Sequence, residues 1–327
     1  MEDTKTEVLE QYDFQVNNSY RGRDARILDT DQGLLSLREY SGSQRKLQFQ
    51  DSLLEHLRGE GFLADFIVKN KEGGLTSKDR EERPFVVRVW YEGKECSLRE
   101  EAQVKKAVEC LARLHRCCRG IALPEGVEAA DFVQDVSGIL ERHNREMRKT
   151  RSYVRSRRGK TDFEAAFLQC YPEFYEKGAR AAEALAQSAY GNLYARAVQE
   201  GRVCHGSFHQ HNVLFSGGKT VLLQFDRCHV GVQLSDLYDF MRKVMEKWDW
   251  NPRIGLQIMS WYDGVLPLSD DEREYVRLRL SYPEKFWKIT NHYYNSRKSW
   301  IPDRTKEKLD ILIRQEKKKE DFLRRMD

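Results

Sequence analysis

Between Val203 and Asp226 the chain reads Val203-Cys204-His205-Gly206-Ser207-Phe208-His209-Gln210-His211-Asn212-Val213-Leu214-Phe215, turns at Ser216-Gly217-Gly218-Lys219, and returns through Val221-Leu222-Leu223-Gln224-Phe225-Asp226. A polar loop feeds an apolar run of strand length, two adjacent glycines supply the backbone of a tight turn, and a second apolar run ends in a polar triplet. Such a hairpin sets Asn212 and Gln224 side by side, and alternation along the second strand puts Gln224 and Asp226 on one face. Downstream, Ser235 or Asp236 is placed to cap a helix on which Leu237, Phe240, Met241, Val244 and Met245 keep the helical period.

The flanking segments predict an α+β chain. Ile27 and Leu28, a turn over 29–33, and Leu34 to Arg38 form a hairpin; Phe49, Leu53, Leu54 and Leu57 then lie on one face of a helix that Gly59 and Gly61 stop. A polar, Gly-containing stretch from Asp65 to Arg83 precedes a strand, Phe85 to Trp90, that ends at Tyr91-Glu92-Gly93. This connector is a natural lobe boundary, giving a β-rich N-terminal lobe with its hinge strand over 1–93 and a helical lobe over 94–327 that contains the segment 203–226. Val104, Val108, Leu111 and His115 open the helical part, and His115 on that apolar face reads as a core histidine. The last 25 residues, 303–327, carry Leu309, Leu312, Ile313, Phe322 and Leu323 as a sparse stripe and should form an amphipathic terminal helix.

Several function classes recede on composition. The 56 basic and 52 acidic side chains nearly balance, so no polyanionic partner is indicated by net charge, and no stretch approaches the roughly 18 consecutive apolar residues of a membrane span. The acidic, polar opening Met1–Asn18 is no export signal. Seven scattered cysteines without CxxC spacing argue against a zinc site or a disulfide framework, and the adjacent Cys117 and Cys118 read as a helix end. Residues 142–160 hold nine cations and the single acid Glu146. With only Tyr153 interleaved, that run suits a solvated helix or an acidic protein neighbour better than nucleic acid. The six tryptophans, Trp90, Trp248, Trp250, Trp261, Trp287 and Trp300, read as core.

His205-Gly206-x-Phe208-His209-x-x-Asn212 resembles the HGDxHxxN catalytic loop of the aminoglycoside and choline phosphotransferases, and Gln224-Phe225-Asp226 aligns with their D-F/W-D/E metal triplet. Across most of its length the chain is similar to the spore-coat CotS-type branch of that superfamily. The likeness runs through Trp90-Tyr91-Glu92-Gly93, Leu111-Ala112-Arg113-Leu114-His115, the double histidine before Asn212, Asp236 to Lys243 and the basic C-terminal helix. The resemblance implies a protein-kinase-like fold with a small β-rich N-lobe and a larger, mostly helical C-lobe. It also implies ATP and Mg2+ as cofactors, coat proteins as partners, synthesis in the mother-cell cytoplasm and deposition on the spore coat. Arg38, Trp90 and Glu92 fall where relatives bind nucleotide, Asn212, Gln224 and Asp226 where they hold metal, Ser207, His205 and Asn212 in the catalytic loop, and Gly206 and Asp236 at structural positions.

The chain departs from that pattern at the chemistry. Ser207 stands where active relatives place the aspartate that takes the proton of the attacking hydroxyl, and loss of a positioned base typically costs roughly 100- to 10,000-fold. Gln224 replaces the magnesium carboxylate, although magnesium favours charged oxygens. Arg38 replaces the phosphate-binding lysine, the residue expected to pair with that lysine falls near Gln50, and no glycine-rich phosphate loop is visible around Gly22 or Gly33. The expectation is a pseudokinase acting as a coat component or coat-assembly binding protein. The alternative is an active ATP/Mg-dependent phosphotransferase to an alcohol or amine acceptor, with Asp226 and Asn212 sharing a displaced metal.

Overall fold

The computed structural model describes residues 7–22, 25–295 and 302–326; residues 1–6 of the acidic opening, Trp300 and Asp327 lie outside them. The chain divides into two compact units, Met1–Val133 with Glu200–Val230 and Gln134–Gln199 with Gly231–Asp327. The segment 203–226 belongs to the first. The first unit runs β1 (Val16–Arg21), β2 (Arg26–Thr30), β3 (Gly33–Glu39), α1 (Gln44–Gly59), β4 (Leu63–Ala64), β5 (Ile67–Val68), β6 (Ser77–Lys78), β7 (Pro84–Val89), β8 (Lys94–Glu95) and α2 (Glu101–Cys117). It resumes with β9 (Val203–Cys204), β10 (Val213–Ser216), β11 (Lys219–Leu222) and β12 (His229–Val230).

The main sheet has the order β1-β2-β3-β7-β5, with β6 also paired to β7. Leu37 faces Val87 and Ser36 faces Arg88 across the β3–β7 pair. Because side chains alternate, Leu35 and Leu37 with Phe85 and Val87 join Leu28 in one apolar cluster, while Ser36, Arg38, Val86 and Arg88 take the other face. Val8 and Tyr12 are buried in that cluster, so the acidic opening contributes core side chains that its composition does not advertise. Helix α1 starts where the Ser43 side chain accepts from the Lys46 amide and buries Leu47, Phe49, Leu53, Leu54 and Leu57, the face its periodicity predicts, together with Gln50. Each such apolar side chain contributes roughly 1.5–3 kcal/mol on burial.

A second sheet has the order β4-β11-β10-β8. Gly217 and Gly218, at φ +53° and +78°, make the two-residue turn of the β10–β11 hairpin, which needs positive φ at both central positions. Strand β4 lies parallel to β11, with Ala64 opposite Leu222. This parallel contact delivers Asp65, the next residue along, to the end of the hairpin.

The second unit is helical: α3 (Val136–Ser156), α4 (Asp162–Gln187), α5 (Tyr190–Gln199), α6 (Leu234–Lys247), α7 (Pro252–Asp263), α8 (Asp270–Ser281), α9 (Glu284–Asn295) and α10 (Pro302–Leu323). Reciprocal capping boxes, Thr161 with Glu164 and Ser269 with Glu272, fix the starts of α4 and α8. Helix α6 begins earlier than its sequence suggests: Ser235 and Asp236 lie in its first turn, Gln233 precedes it without a side-chain cap, and the Ser235 hydroxyl pairs with that of Tyr275 at 2.7 Å. Helix α10 buries Leu309, Leu312 and Phe322 as expected, but Ile313 is 42% exposed. The buried stripe passes through Leu312, Glu316 and Lys319 to Phe322 and leaves Ile313 on its trailing side. The basic run begins on α3, where Arg142, Arg145, Arg148 and Lys149 are exposed, and Arg157 beyond it pairs with the buried Glu164.

Candidate functional site

Within the first unit a cleft of about 1130 Å3 is lined by Ser36, Arg38, Asp65, Arg88, the connector from Trp90 to Gly93, Ser207, Asn212 and Gln224. The sequence-predicted Arg38, Trp90, Glu92, Ser207, Asn212 and Gln224 therefore share one wall system. His205 is buried behind the loop, and Asp236 belongs to the second unit, buried in the first turn of α6.

The loop is braced from within. His205 packs against Phe225 at 4.3 Å between ring centroids, and its Nδ1 accepts from the Ser207 amide at 3.2 Å. Gly206 has φ +75°, and a side chain there would drive its Cβ into the Arg227 carbonyl oxygen. Asn212 donates its amide to the Ser207 carbonyl at 2.9 Å and lies near the Ser207 hydroxyl at 3.3 Å, so this side chain knits the loop shut. The Leu223 amide donates to the Asn212 carbonyl at 2.9 Å, which seats Gln224 one residue from Asn212 across the hairpin. His211 pairs with Glu95 of β8, and among the described residues no three His, Cys, Asp or Glu side chains are grouped to hold a metal.

Gln224 and Asp226 do face one way, though not by strand alternation. Strand β11 ends at Leu222, Gln224 takes a left-handed conformation at φ +66° and ψ +59°, and Phe225–Arg227 is a turn of 3-10 helix. That reversal points both side chains at Arg38. Its Nη1 donates to Gln224 Oε1 at 2.9 Å, and its Nη2 donates to both oxygens of Asp226 at 2.8 Å.

Two side chains that the sequence did not single out complete the cluster. Arg88, 2% exposed, donates through Nη2 to Gln50 Oε1 at 2.8 Å and through Nη1 to the Asp65 carbonyl at 3.2 Å, and stands 3.4 Å from Asp226 Oδ1. Asp65 accepts from the Gln224 amide at 3.1 Å and lies 3.9 Å from Arg88. Its Oδ1 is buried with no hydrogen-bond partner among the described residues. Burial raises the Asp65 carboxyl above the usual carboxylate range, against the downward pull of Arg88 and the Gln224 amide. Burial, then the Asp226 charge, likewise raises the Tyr40 phenol. The signal for Arg88 was in the sequence: a cation inside the apolar run from Phe85 to Val89 needs a buried partner. Nothing in the polar stretch after Asp65 marked that residue, because its role depends on the parallel β4–β11 contact.

The donors do not fit a magnesium ion. Magnesium demands near-octahedral oxygen ligation with carboxylates in the set. Here both Asp226 oxygens and Gln224 Oε1 are engaged by a guanidinium, and the Asn212 side chain is spent on the loop. No step of phosphoryl transfer follows from such a donor set.

A family model described as "Spore coat putative kinase YutH" matches residues 5–326. The chain is 22% identical over 326 residues to Spore coat protein S of Bacillus subtilis (strain 168), covering 97% of this chain and 92% of that protein. Its fold matches an aminoglycoside phosphotransferase from Alicyclobacillus acidocaldarius at a TM-score of 0.83 and 18% identity, over 98% of this chain and 94% of the other. It also matches an AMP-bound spectinomycin phosphotransferase at a TM-score of 0.67 and 11% identity, over 95% and 97%. A third match is an amicoumacin kinase in complex with AMP-PNP and Ca2+, at a TM-score of 0.61 and 12% identity, over 98% and 93%.

Proposed function

The chain belongs to the spore coat kinase-like family, and from that premise we propose that it is a pseudokinase that serves the coat by binding rather than by phosphoryl transfer. One observation carries this reading: the Arg38 guanidinium holds Gln224 and Asp226, two of the three side chains that fall where relatives hold metal, while Ser207 takes the place of the base. A serine hydroxyl has no useful basicity near neutral pH, and a guanidinium cannot be deprotonated to make way for an ion. The neighbours solved with AMP and AMP-PNP support a nucleotide as the ligand of the cleft, and the coat relative supports the coat as the setting.

The test is turnover of the γ-phosphate by the purified full chain in ATP and Mg2+, with amines and alcohols offered as acceptors. The expected rate is that of the buffer. A rate above it that disappears in Asn212→Ala would overturn the reading. In sporulating cells a fluorescent fusion is expected on the coat, and a diffuse mother-cell signal throughout sporulation would refute the coat assignment.

A further inference from the structure

Arg38 and Arg88 extend from the same face of adjacent antiparallel strands, Arg38 opposite Val86 and Arg88 opposite Ser36. Two cations so placed repel unless an anion lies between them, and Asp226 does. Together they bring two positive charges to the end of the hairpin, the charge of one divalent ion. Their mobilities differ. Arg88 is buried and tied to Gln50 and the Asp65 carbonyl. Arg38 is 18% exposed and Asp226 36% exposed, so their ion pair is partly solvated and exchangeable. Asp226 has a second cation already within reach, Arg88 at 3.4 Å.

On the reading that the cleft takes a nucleotide, we propose that it takes it without metal. Arg38 releases Asp226 to Arg88 and grips the phosphate chain itself, so that a divalent ion competes with binding instead of enabling it. A guanidinium suits this exchange because its planar fork bonds phosphate in the same bidentate way that it bonds a carboxylate. Asp226 is the internal anion that the ligand displaces, and Arg88 lowers the cost of displacing it by keeping that carboxylate paired. A nucleotide saturated with magnesium carries two fewer negative charges and offers Arg38 a weaker anion.

Calorimetric titration of the full chain with ADP and with ATP, once in EDTA and once in excess Mg2+, reads this directly. Binding is expected in EDTA, weakened about tenfold or more by Mg2+, the scale of one hydrogen bond to a charged group. Asp226→Asn, which removes the competing anion, is expected to bind more tightly than the parent, and Arg38→Ala to bind at least about tenfold more weakly. Arg38→Lys, which keeps the charge and loses the fork, should fall between. Melting curves of every variant separate lost binding from lost folding, and Gly191→Ala, a position that does not line the cleft, should bind within a few-fold of the parent. Binding that requires Mg2+, no binding in either buffer, or Asp226→Asn and Arg38→Ala that both titrate like the parent would overturn the inference. Mg2+-dependent binding without turnover sinks only this inference, whereas turnover sinks the non-catalytic reading.

Discussion

Arg88→Met should be among the most damaging single substitutions in the first unit, and the damage should depend on pH. The methionine fills the space of the Arg88 stem but leaves Asp65 buried without its nearest cation and Gln50 without its donor. Removing one partner of a buried ion pair costs about 3–5 kcal/mol. At roughly 2–4 °C per kcal/mol for a domain of 150–250 residues, the melting temperature of this unit should drop by about 10 °C. The Asp65 carboxyl is already raised by burial, and Arg88 pulls it down. Without Arg88 it rises further, so the folded variant holds a proton that the unfolded chain has released. A folded state that binds more protons loses stability as pH rises, by up to about 1.4 kcal/mol per unit from about pH 4 upward to the folded pKa. Urea unfolding at pH 5 and pH 8 should therefore show Arg88→Met further below the parent at pH 8. The double variant Asp65→Asn/Arg88→Met should recover part of the loss and flatten the pH dependence. A single variant within about 1 kcal/mol of the parent at pH 8, or the same deficit at both pH values, would refute the assignment of Arg88 as the counter-ion of Asp65.

Gly206→Ala combines a left-handed backbone with a clash against the Arg227 carbonyl and should cost more than about 3 kcal/mol in urea unfolding, whereas Gly191→Ala, which meets nothing within 4 Å near the start of α5, should gain up to about 1 kcal/mol. At pH 7.5 iodoacetamide should modify Cys117 first, as followed by peptide mass spectrometry. The neighbouring Cys118 thiol lowers its pKa, while burial pushes Cys96 and Cys170 up to about 12 and Cys110 and Cys228 up to about 11; equal labelling of the half-buried Cys170 would contradict this. In the second unit Glu284, though burial opposes it, is held at about 2 by His143, Lys288 and Arg279, so it contributes stability above about pH 4.5 that is lost as pH falls toward 2, on the order of 3 kcal/mol. Glu284→Gln should be less stable at neutral pH and show a shallower acid limb in urea unfolding, and an unchanged acid limb would exclude Glu284 as its source.

Where local chemistry decides the structure, the sequence was legible. The β10–β11 hairpin follows from two glycines between apolar runs, and α1 from Phe49, Leu53, Leu54 and Leu57 at helical spacing. The common orientation of Gln224 and Asp226 was anticipated for the wrong reason, since alternation ends at Leu222 and a left-handed residue followed by a 3-10 turn does the aiming. Asp65 was unreadable because its hydrogen bond to Gln224 spans 159 residues and rests on a two-residue parallel strand with no signal of its own. Arg88 could have been found. A charged side chain in a strand otherwise apolar on both faces demands a buried acceptor, and Gln50, on the inward face of the preceding helix, was available by the same periodicity.

Two of the departures from the family pattern, Arg38 and Gln224, then make sense as one coupled change. A lysine presents a single compact ammonium and could not hold Gln224 and Asp226 with separate nitrogens, as the two ends of the Arg38 fork do. Given the arginine, a carboxamide at 224 supplies one uncharged acceptor for Nη1 and leaves Asp226 as the only carboxylate on Nη2, so the pair is neutral without a metal. Reverting Gln224 alone to aspartate would set two carboxylates on one guanidinium and tighten the clamp. Reverting Arg38 alone to lysine would leave a carboxylate and a carboxamide too few for magnesium. Only the joint reversal of 38 and 224 would vacate the position for an ion, and Ser207 would still lack basicity. Counted one residue at a time, the motif looks eroded. Counted as charges and donors, and on the proposed non-catalytic reading, it is a self-consistent arrangement in which Arg38 stands as the cation beside Gln224 and Asp226.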